Sequence, residues 1–217
     1  MLNISKVSKL DGIRSWSLQA GDTCPGAFNA DGSFVDACSG CYARGGRYHG
    51  ENVKKPRREN RQDWKRDEWV SDMVTALKKE THFRWFDSGD MYSMSLANKM
   101  YQVMQQATWV KFWLPTRMYK FAKFQTIIDQ MNALHNVKVR FSSDSITGEF
   151  TKGLHGSTIV PDYDAIPDGV KVCEAYQHEG KCNGCRSCWD KTVDVIAYPA
   201  HGATAKKNVR IKLALVA

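Results

Sequence analysis

The stretch DTCPGAFNADGSFVDACSGCY, residues 22–42, places three cysteines in one polar loop. Cys24, Cys38 and Cys41 form the array C-x13-C-x2-C, which directly follows residues 13–18, a short run that predicts a strand. Because a polar, glycine-bearing loop has no core to fill, we expect these thiols to bind a metal. Their soft sulfurs suit an iron–sulfur cluster or zinc.

A second cysteine group lies near the other end of the sequence and completes the seven cysteines of the chain: Cys173, Cys182, Cys185 and Cys188, with His201 further on. A C-x2-C-x2-C run with a more distant Cys or His is typical of structural zinc, and an auxiliary iron–sulfur cluster would use the same ligands. We predict a metal-binding segment over about residues 171–202 and favour zinc. If the first and last strands are neighbours, the two groups could instead share one metal site.

Length and composition predict one globular domain over residues 1–217, with 42% hydrophobic and 25% charged residues. No apolar run is as long as a membrane span, and the N-terminus lacks the apolar core of a signal peptide. We therefore expect a cytoplasmic protein with no membrane partner. Disulfides are rare in that compartment, which favours metal binding by clustered cysteines. The oligomeric state stays open.

Strands alternate with helices through the first two thirds of the chain. The patterns predict strands at residues 13–18, 83–86, 110–114 and 137–141, helices at 63–80, 95–106 and 119–134, and later strands at 157–160, 170–175 and 193–198. Units of about 25 residues are typical of parallel βαβ construction. Six or seven parallel strands predict an α/β fold with a compact or partial (β/α) barrel. An open doubly wound sheet is the alternative, although no G-x-G-x-x-G motif supports it.

Polar residues follow each of the first four predicted strands: Cys24, Asp87 to Asp90, Thr116-Arg117 and Ser142 to Asp144. The carboxyl ends of parallel strands face the active site in such folds, so these residues should surround one mouth. The candidate catalytic residues are Asp87, Asp90, Arg117 and Asp144.

A basic stretch follows the cysteine loop in a chain of net charge +8. Residues 44–66 contain nine Lys or Arg against three acids, with Tyr48 and Trp64 among them. Basic groups with interleaved aromatics could track a phosphate backbone, which predicts a nucleic acid or nucleotide substrate. The alternative is a solvated loop and helix start on a basic protein.

The first cysteine array resembles that of the radical S-adenosylmethionine superfamily, in which three cysteines follow the first strand of a β/α barrel. The usual spacing there is C-x3-C-x2-C, and members with a longer first gap exist. The resemblance covers residues 13–145 and implies a four-iron cluster on Cys24, Cys38 and Cys41 that binds S-adenosylmethionine. It further implies cofactor contacts from Ser88, Gly89 and Asp90, with Ser142 and Asp144 near the ribose, and radical abstraction of a substrate hydrogen.

A second set of motifs resembles the tRNA-guanine and 7-deazaguanine DNA transglycosylases, which are zinc-containing β/α barrels. Asp87-Ser88-Gly89, Pro115-Thr116-Arg117 and the Cys182, Cys185, Cys188 and His201 set carry this likeness. Here Asp90 replaces the second glycine of their D-S-G-G turn, the P-T-R sequence comes too early, and the N-terminal cysteines are left without a role. A third possibility is a zinc-stabilised nucleic-acid-binding protein without catalytic activity.

Overall fold

The computed structural model describes residues 2–216, except for the side chains of Arg47 and Val216. The strands of this range are β1 Ser5–Lys6, β2 Arg14–Trp16, β3 His82–Trp85, β4 Lys111–Thr116, β5 Val137–Phe141, β6 Ser157–Val160, β7 Lys171–Val172 and β8 Ile196–Pro199. The helices are α1 Asp36–Ser39, α2 Glu51–Asp63, α3 Trp69–Ala76, α4 Met94–Gln106, α5 Gln125–Ala133 and α6 Ala203–Val216.

Seven of these strands pair in parallel, which confirms the parallel α/β prediction. The first sheet has the order β1-β2-β3-β4-β5, in which only β1 is antiparallel to its neighbour. The second sheet has the order β6-β8-β7. One parallel bridge, between Ser142 and Ser157, connects the end of β5 to the start of β6.

The strands do not close into a barrel, and both sheets stay open, as in the alternative prediction of an open sheet. Within residues 2–216 no pairing joins β7 to the β1–β2 side of the first sheet. The short β1 already occupies that edge, with Ser5 opposite Ser15 and Lys6 opposite Arg14. Residues 173–195 add no strand to either sheet, so no strand is available to close the circle.

The main core lies between one face of the first sheet and helices α3, α4 and α5. Phe112 and Leu114 of β4 point into it, together with Trp69 and Met73 of α3 and with Leu77 directly after that helix. Side chains alternate across a strand, so Trp113 points the other way. It packs there with Leu10 and Trp189, and its ring centroid lies 5.3 Å from that of Trp189.

Arg140 of β5 holds the C-terminal segment against this second face. Its guanidinium is completely buried and donates six hydrogen bonds to backbone carbonyls at positions 156, 187, 188, 190, 193 and 194. One side chain thus replaces the ladder hydrogen bonds that this irregular segment lacks. The cysteine-rich segment is thereby placed on the sheet face opposite the helices.

All helices except α4 differ from the sequence prediction. The helix expected at 63–80 is shorter, and the basic stretch forms the separate helix α2. The chain turns between α2 and α3, where the Arg66 guanidinium bridges Asp63 and Asp72, at 2.8 Å from each. The helix expected at 119–134 begins only at Gln125, and α6 was not predicted. No helix within residues 2–216 is long and apolar enough to cross a membrane.

Candidate metal centres and active site

The long gap between the first two cysteines folds into a small hairpin. Phe28 and Phe34 pair in antiparallel fashion with their ring centroids 4.5 Å apart, and Gly32 adopts a positive φ in the turn. The chain therefore enters and leaves this hairpin at nearly the same place. A thirteen-residue gap can in this way act as a short one, because the Val35 amide donates to the Ala27 carbonyl at 3.0 Å and closes the base of the hairpin.

The cysteine loop is held against the carboxyl ends of the parallel strands. Gly26 lies so close to Arg117 that a Cβ on it would stand 2.5 Å from the Arg117 Cβ. The Lys120 ammonium donates to the Gly26 carbonyl at 3.1 Å, and the Ala37 amide donates to the Asp144 carbonyl at 2.9 Å. The loop after β2 is thus fastened to the ends of β4 and β5, as the topology predicted.

The turn after β3, residues 87–90, packs against the same loop. The Leu18 amide donates to the Ser88 carbonyl, and the Ser88 hydroxyl donates to the Leu18 carbonyl at 2.6 Å. Gly89 has a φ of +84°, and a Cβ there would lie 2.6 Å from the Leu18 Cβ and 2.7 Å from the Thr23 Oγ1. Both the left-handed backbone and the close approach require glycine at this position.

Asp90 is buried and organises the end of β4. Its carboxylate accepts hydrogen bonds from the Thr116 hydroxyl at 2.7 Å, the Arg117 amide at 2.9 Å and the Met91 amide at 2.8 Å. Burial raises the pKa of Asp90 despite these donors. The Asp90 carboxylate is therefore held in one position, where it accepts hydrogen bonds from the protein at the carboxyl end of β4.

Arg117 and Asp144 form the polar rim next to the cysteines. The Arg117 Nε donates to the Asp144 carboxylate at 3.0 Å, its Nη2 donates to the Ser143 carbonyl at 2.8 Å, and Lys120 also pairs with Asp144. Ser142 contributes its backbone here, since its carbonyl accepts the Tyr119 hydroxyl at 3.2 Å.

Asp87 is held in a network that the sequence did not reveal. Its carboxylate pairs with Arg57 at 2.8 Å and accepts the Tyr48 hydroxyl at 2.9 Å, while its carbonyl accepts the Tyr42 hydroxyl at 2.8 Å. Arg57 and Tyr48 belong to the basic stretch, in which nothing distinguishes them from their neighbours. Their inward position depends on the packing of α2 against the turn after β3.

The thiols of the first group influence one another electrostatically. Burial raises the pKa of Cys24 to about 12, and Asp90 and the neighbouring Cys38 and Cys41 add to the effect. Burial also raises the pKa of Cys38, while the Arg117 guanidinium opposes the rise. Among the described residues, no three His, Cys, Asp or Glu side chains stand in an arrangement that could hold a metal ion as placed. A common ion on the three sulfurs would therefore require their side chains to rearrange.

The four cysteines of the second group line one small cavity of about 100 Å³. The Cys188 Sγ lies 3.3 Å from the Tyr198 hydroxyl, and the exposed Cys185 Sγ lies 3.3 Å from the Ser187 hydroxyl. Their turn is anchored to the N-terminus, because the Asp11 carboxylate accepts the Gly184 amide at 3.0 Å. This cavity is separate from the N-terminal loop, so the structure gives no support to a site shared by both groups.

His201 lies apart from this cavity, in a row of aromatic rings. Its ring centroid is 4.2 Å from that of Tyr176 and 6.2 Å from that of Tyr42. Its Nδ1 lies 3.3 Å from the Pro199 carbonyl. Sequence spacing suggested His201 as a metal ligand, whereas the fold places it between tyrosines that spacing could not bring together.

The basic stretch is only partly available to a partner. Arg57 is turned inward to Asp87, Arg58 pairs with Glu51, and Arg66 pairs with three acids. Lys55 remains largely exposed beside Glu59. Any phosphate contacts would therefore come from the outer side of α2.

Residues 3–191 match the model of the protein family described as Gene product 88. Comparisons with curated proteins and with solved structures gave no match.

Proposed function

The chain belongs to the Gene product 88 family, and we propose that it is an iron–sulfur enzyme that uses S-adenosylmethionine to modify a nucleotide or nucleic-acid-related substrate. One observation carries the proposal: the hairpin at residues 28–34 lets Cys24, Cys38 and Cys41 share one loop on the carboxyl edge of a parallel sheet. This is the edge at which parallel α/β folds place their reactive groups.

The donor set fits a cluster by its chemistry. Residues 22–42 contain three thiols, no histidine and three carboxylates, of which Asp22 and Asp31 are exposed and Asp36 is partly exposed. Three thiolates with one open metal position suit a four-iron cluster. When bound, the cluster and S-adenosylmethionine would supply a hydrogen-abstracting radical. Cys24, Cys38 and Cys41 would hold the cluster.

The surrounding side chains would bind and orient the cofactor. The turn of Ser88, Gly89 and Asp90 lies against the cysteine loop, because Gly89 has no side chain and packs directly on Leu18 and Thr23. Arg117, beside Cys38, would balance the negative charge of the thiolates, and Asp144 keeps that guanidinium in place.

The test is the colour of the protein. Anaerobically purified or reconstituted protein should be brown and should bleach on addition of dithionite. Cys24→Ala, Cys38→Ala and Cys41→Ala should each abolish the visible absorbance and lower bound iron. Cys185→Ala is the matched control, because it removes an exposed cysteine of the other group. A colourless protein that contains only zinc after reconstitution with iron and sulfide would refute the proposal.

We propose a structural metal, with zinc favoured, in the cavity of Cys173, Cys182, Cys185 and Cys188. Support comes from the position of these four cysteines in the lining of one cavity of about 100 Å³. Metal binding to such a site is coupled to folding. Removal of the metal should therefore lower the melting temperature. If Cys188→Ala instead gives a stable but inactive protein, the metal has a catalytic role.

The transglycosylase alternative is less well supported by the geometry. That reaction needs an aspartate free to act on the substrate, yet the Asp87 carboxylate is engaged by Arg57 and Tyr48, and Asp90 accepts three hydrogen bonds. A zinc-stabilised nucleic-acid-binding protein would lack the brown colour and would show no turnover, so the same preparation tests both alternatives.

A further inference from the structure

A row of three aromatic rings connects the two cysteine groups across the surface. Tyr42 follows Cys41, Tyr176 lies three residues after Cys173, and His201 follows β8 and stands between them. Both flanking rings are inclined to the His201 ring by only 33–34°. Three separate parts of the chain thus contribute roughly aligned rings to one surface, which we call the ring row.

The two tyrosines of the ring row are open to solvent, and His201 is partly exposed. Tyr42 is 49% exposed and Tyr176 is 44% exposed, although an aromatic ring gains most from burial. Tyr42 is nevertheless held in place, because its hydroxyl donates to the Asp87 carbonyl at 2.8 Å. Exposed rings that are fixed in position lose little entropy when a planar ligand stacks on them.

Two lysines, Lys9 and Lys206, lie beside the Tyr176 and His201 end of the ring row. The Lys9 ammonium lies 4.8 Å from the centroid of the Tyr176 ring. Lys206, in the first turns of α6, is close enough to His201 to oppose its protonation. Stacking faces next to cations match a ligand that combines a flat base with a phosphate.

We propose that the ring row of Tyr42, His201 and Tyr176 binds the base of a phosphorylated nucleotide unit, with Lys9 near its phosphate. This inference deepens the proposed function, since it names the substrate class and the surface that would hold the substrate beside the Cys24–Cys41 loop. The unit can belong to a free nucleotide or to a single strand, because the chemistry recognised is the same.

The experiment measures the binding of a fluorescein-labelled single-stranded oligothymidylate by anisotropy, with adenosine monophosphate and S-adenosylmethionine as unlabelled competitors. Tyr176→Ala should weaken binding by about 5- to 150-fold, which corresponds to the loss of one stacked base. Tyr176→Phe keeps the ring and should bind as the unaltered protein does. Trp109→Ala is the matched control, because Trp109 is 47% exposed but lies just before β4, at the amino ends of the parallel strands.

The role of the cation is tested separately. Lys9→Gln should weaken binding and reduce the salt dependence by about 0.7 log units per decade of salt, as expected for one phosphate contact on a single strand. Competition by adenosine monophosphate would identify a free nucleotide as sufficient, and failure to compete would identify a strand as the ligand.

The inference fails if Tyr176→Ala binds as tightly as Trp109→Ala, or if S-adenosylmethionine binds while neither phosphorylated probe does. Repeating the titration with the iron-free Cys24→Ala protein separates this inference from the proposed function. Nucleotide binding that persists there supports the ring row whatever the iron analysis shows. Loss of the brown colour in Cys24→Ala tests only the iron–sulfur cluster and not nucleotide binding by the ring row.

Discussion

Gly89→Ala should destabilise the protein for two separable reasons. Its φ of +84° belongs to the left-handed region, which costs a residue with a Cβ about 1–2 kcal/mol. The added Cβ would also stand 2.6 Å from the Leu18 Cβ and 2.7 Å from the Thr23 Oγ1. Overpacking of this kind costs a further 1–3 kcal/mol, so the free energy of unfolding should fall by about 2–5 kcal/mol in total.

Gly21→Ala isolates the backbone contribution. Gly21 has nearly the same φ, +88°, but a Cβ added to it would meet no atom within 4 Å. Its substitution should therefore cost only about 1–2 kcal/mol. In a chain of this length, each kcal/mol lowers the melting temperature by about 2–4 °C.

Urea and thermal unfolding of the two variants, measured on metal-free protein, check the reasoning. Gly89→Ala should be less stable than Gly21→Ala by about 1–3 kcal/mol, the contribution of the steric overlap. Equal losses of stability in both variants would refute the close approach of the turn to Leu18 and Thr23, and with it the proposed support of the cysteine loop.

Three further outcomes are expected. Arg140→Met should lower the free energy of unfolding by about 3–5 kcal/mol and expose residues 187–194 to protease, because six carbonyls lose a buried charged donor; unchanged protease resistance would contradict this. Burial lowers the pKa of His201 in the folded state, so the unfolded chain binds more protons and stability should fall as the pH drops through 6.5. His201→Phe should weaken this pH dependence when unfolding is measured from pH 7.5 to 5.5. An identical slope in the variant would contradict the prediction. Joint replacement of Lys54, Lys55 and Arg58 by Ser should flatten the salt dependence of nucleic-acid binding by about 0.7–0.9 log units per decade of salt for each lost contact, while the stability of the fold is kept. Weak binding that the substitutions leave unchanged would identify α2 as a solvated surface.

The sequence by itself determined the parts of the structure that depend on local pattern. Alternation and helical periodicity identified β3, β5 and α4 nearly to the residue, because each pattern reflects which face of one element is buried. The order of strands and helices then predicted parallel pairing. From that pairing followed the meeting of the cysteine loop, the turn at Asp87 to Asp90, Arg117 and Asp144 at one edge.

Only the tertiary structure decided the features that depend on contacts between distant elements. The openness of the sheet follows from β1, whose two residues carry no strong pattern yet occupy the edge that a barrel would need. Sequence spacing also does not reveal three other features. They are the hairpin between Cys24 and Cys38, the inward position of Arg57 and the alignment of the Tyr42, His201 and Tyr176 rings. Each arises because the packing of separate segments sets the distances between side chains, and periodicity describes one segment at a time.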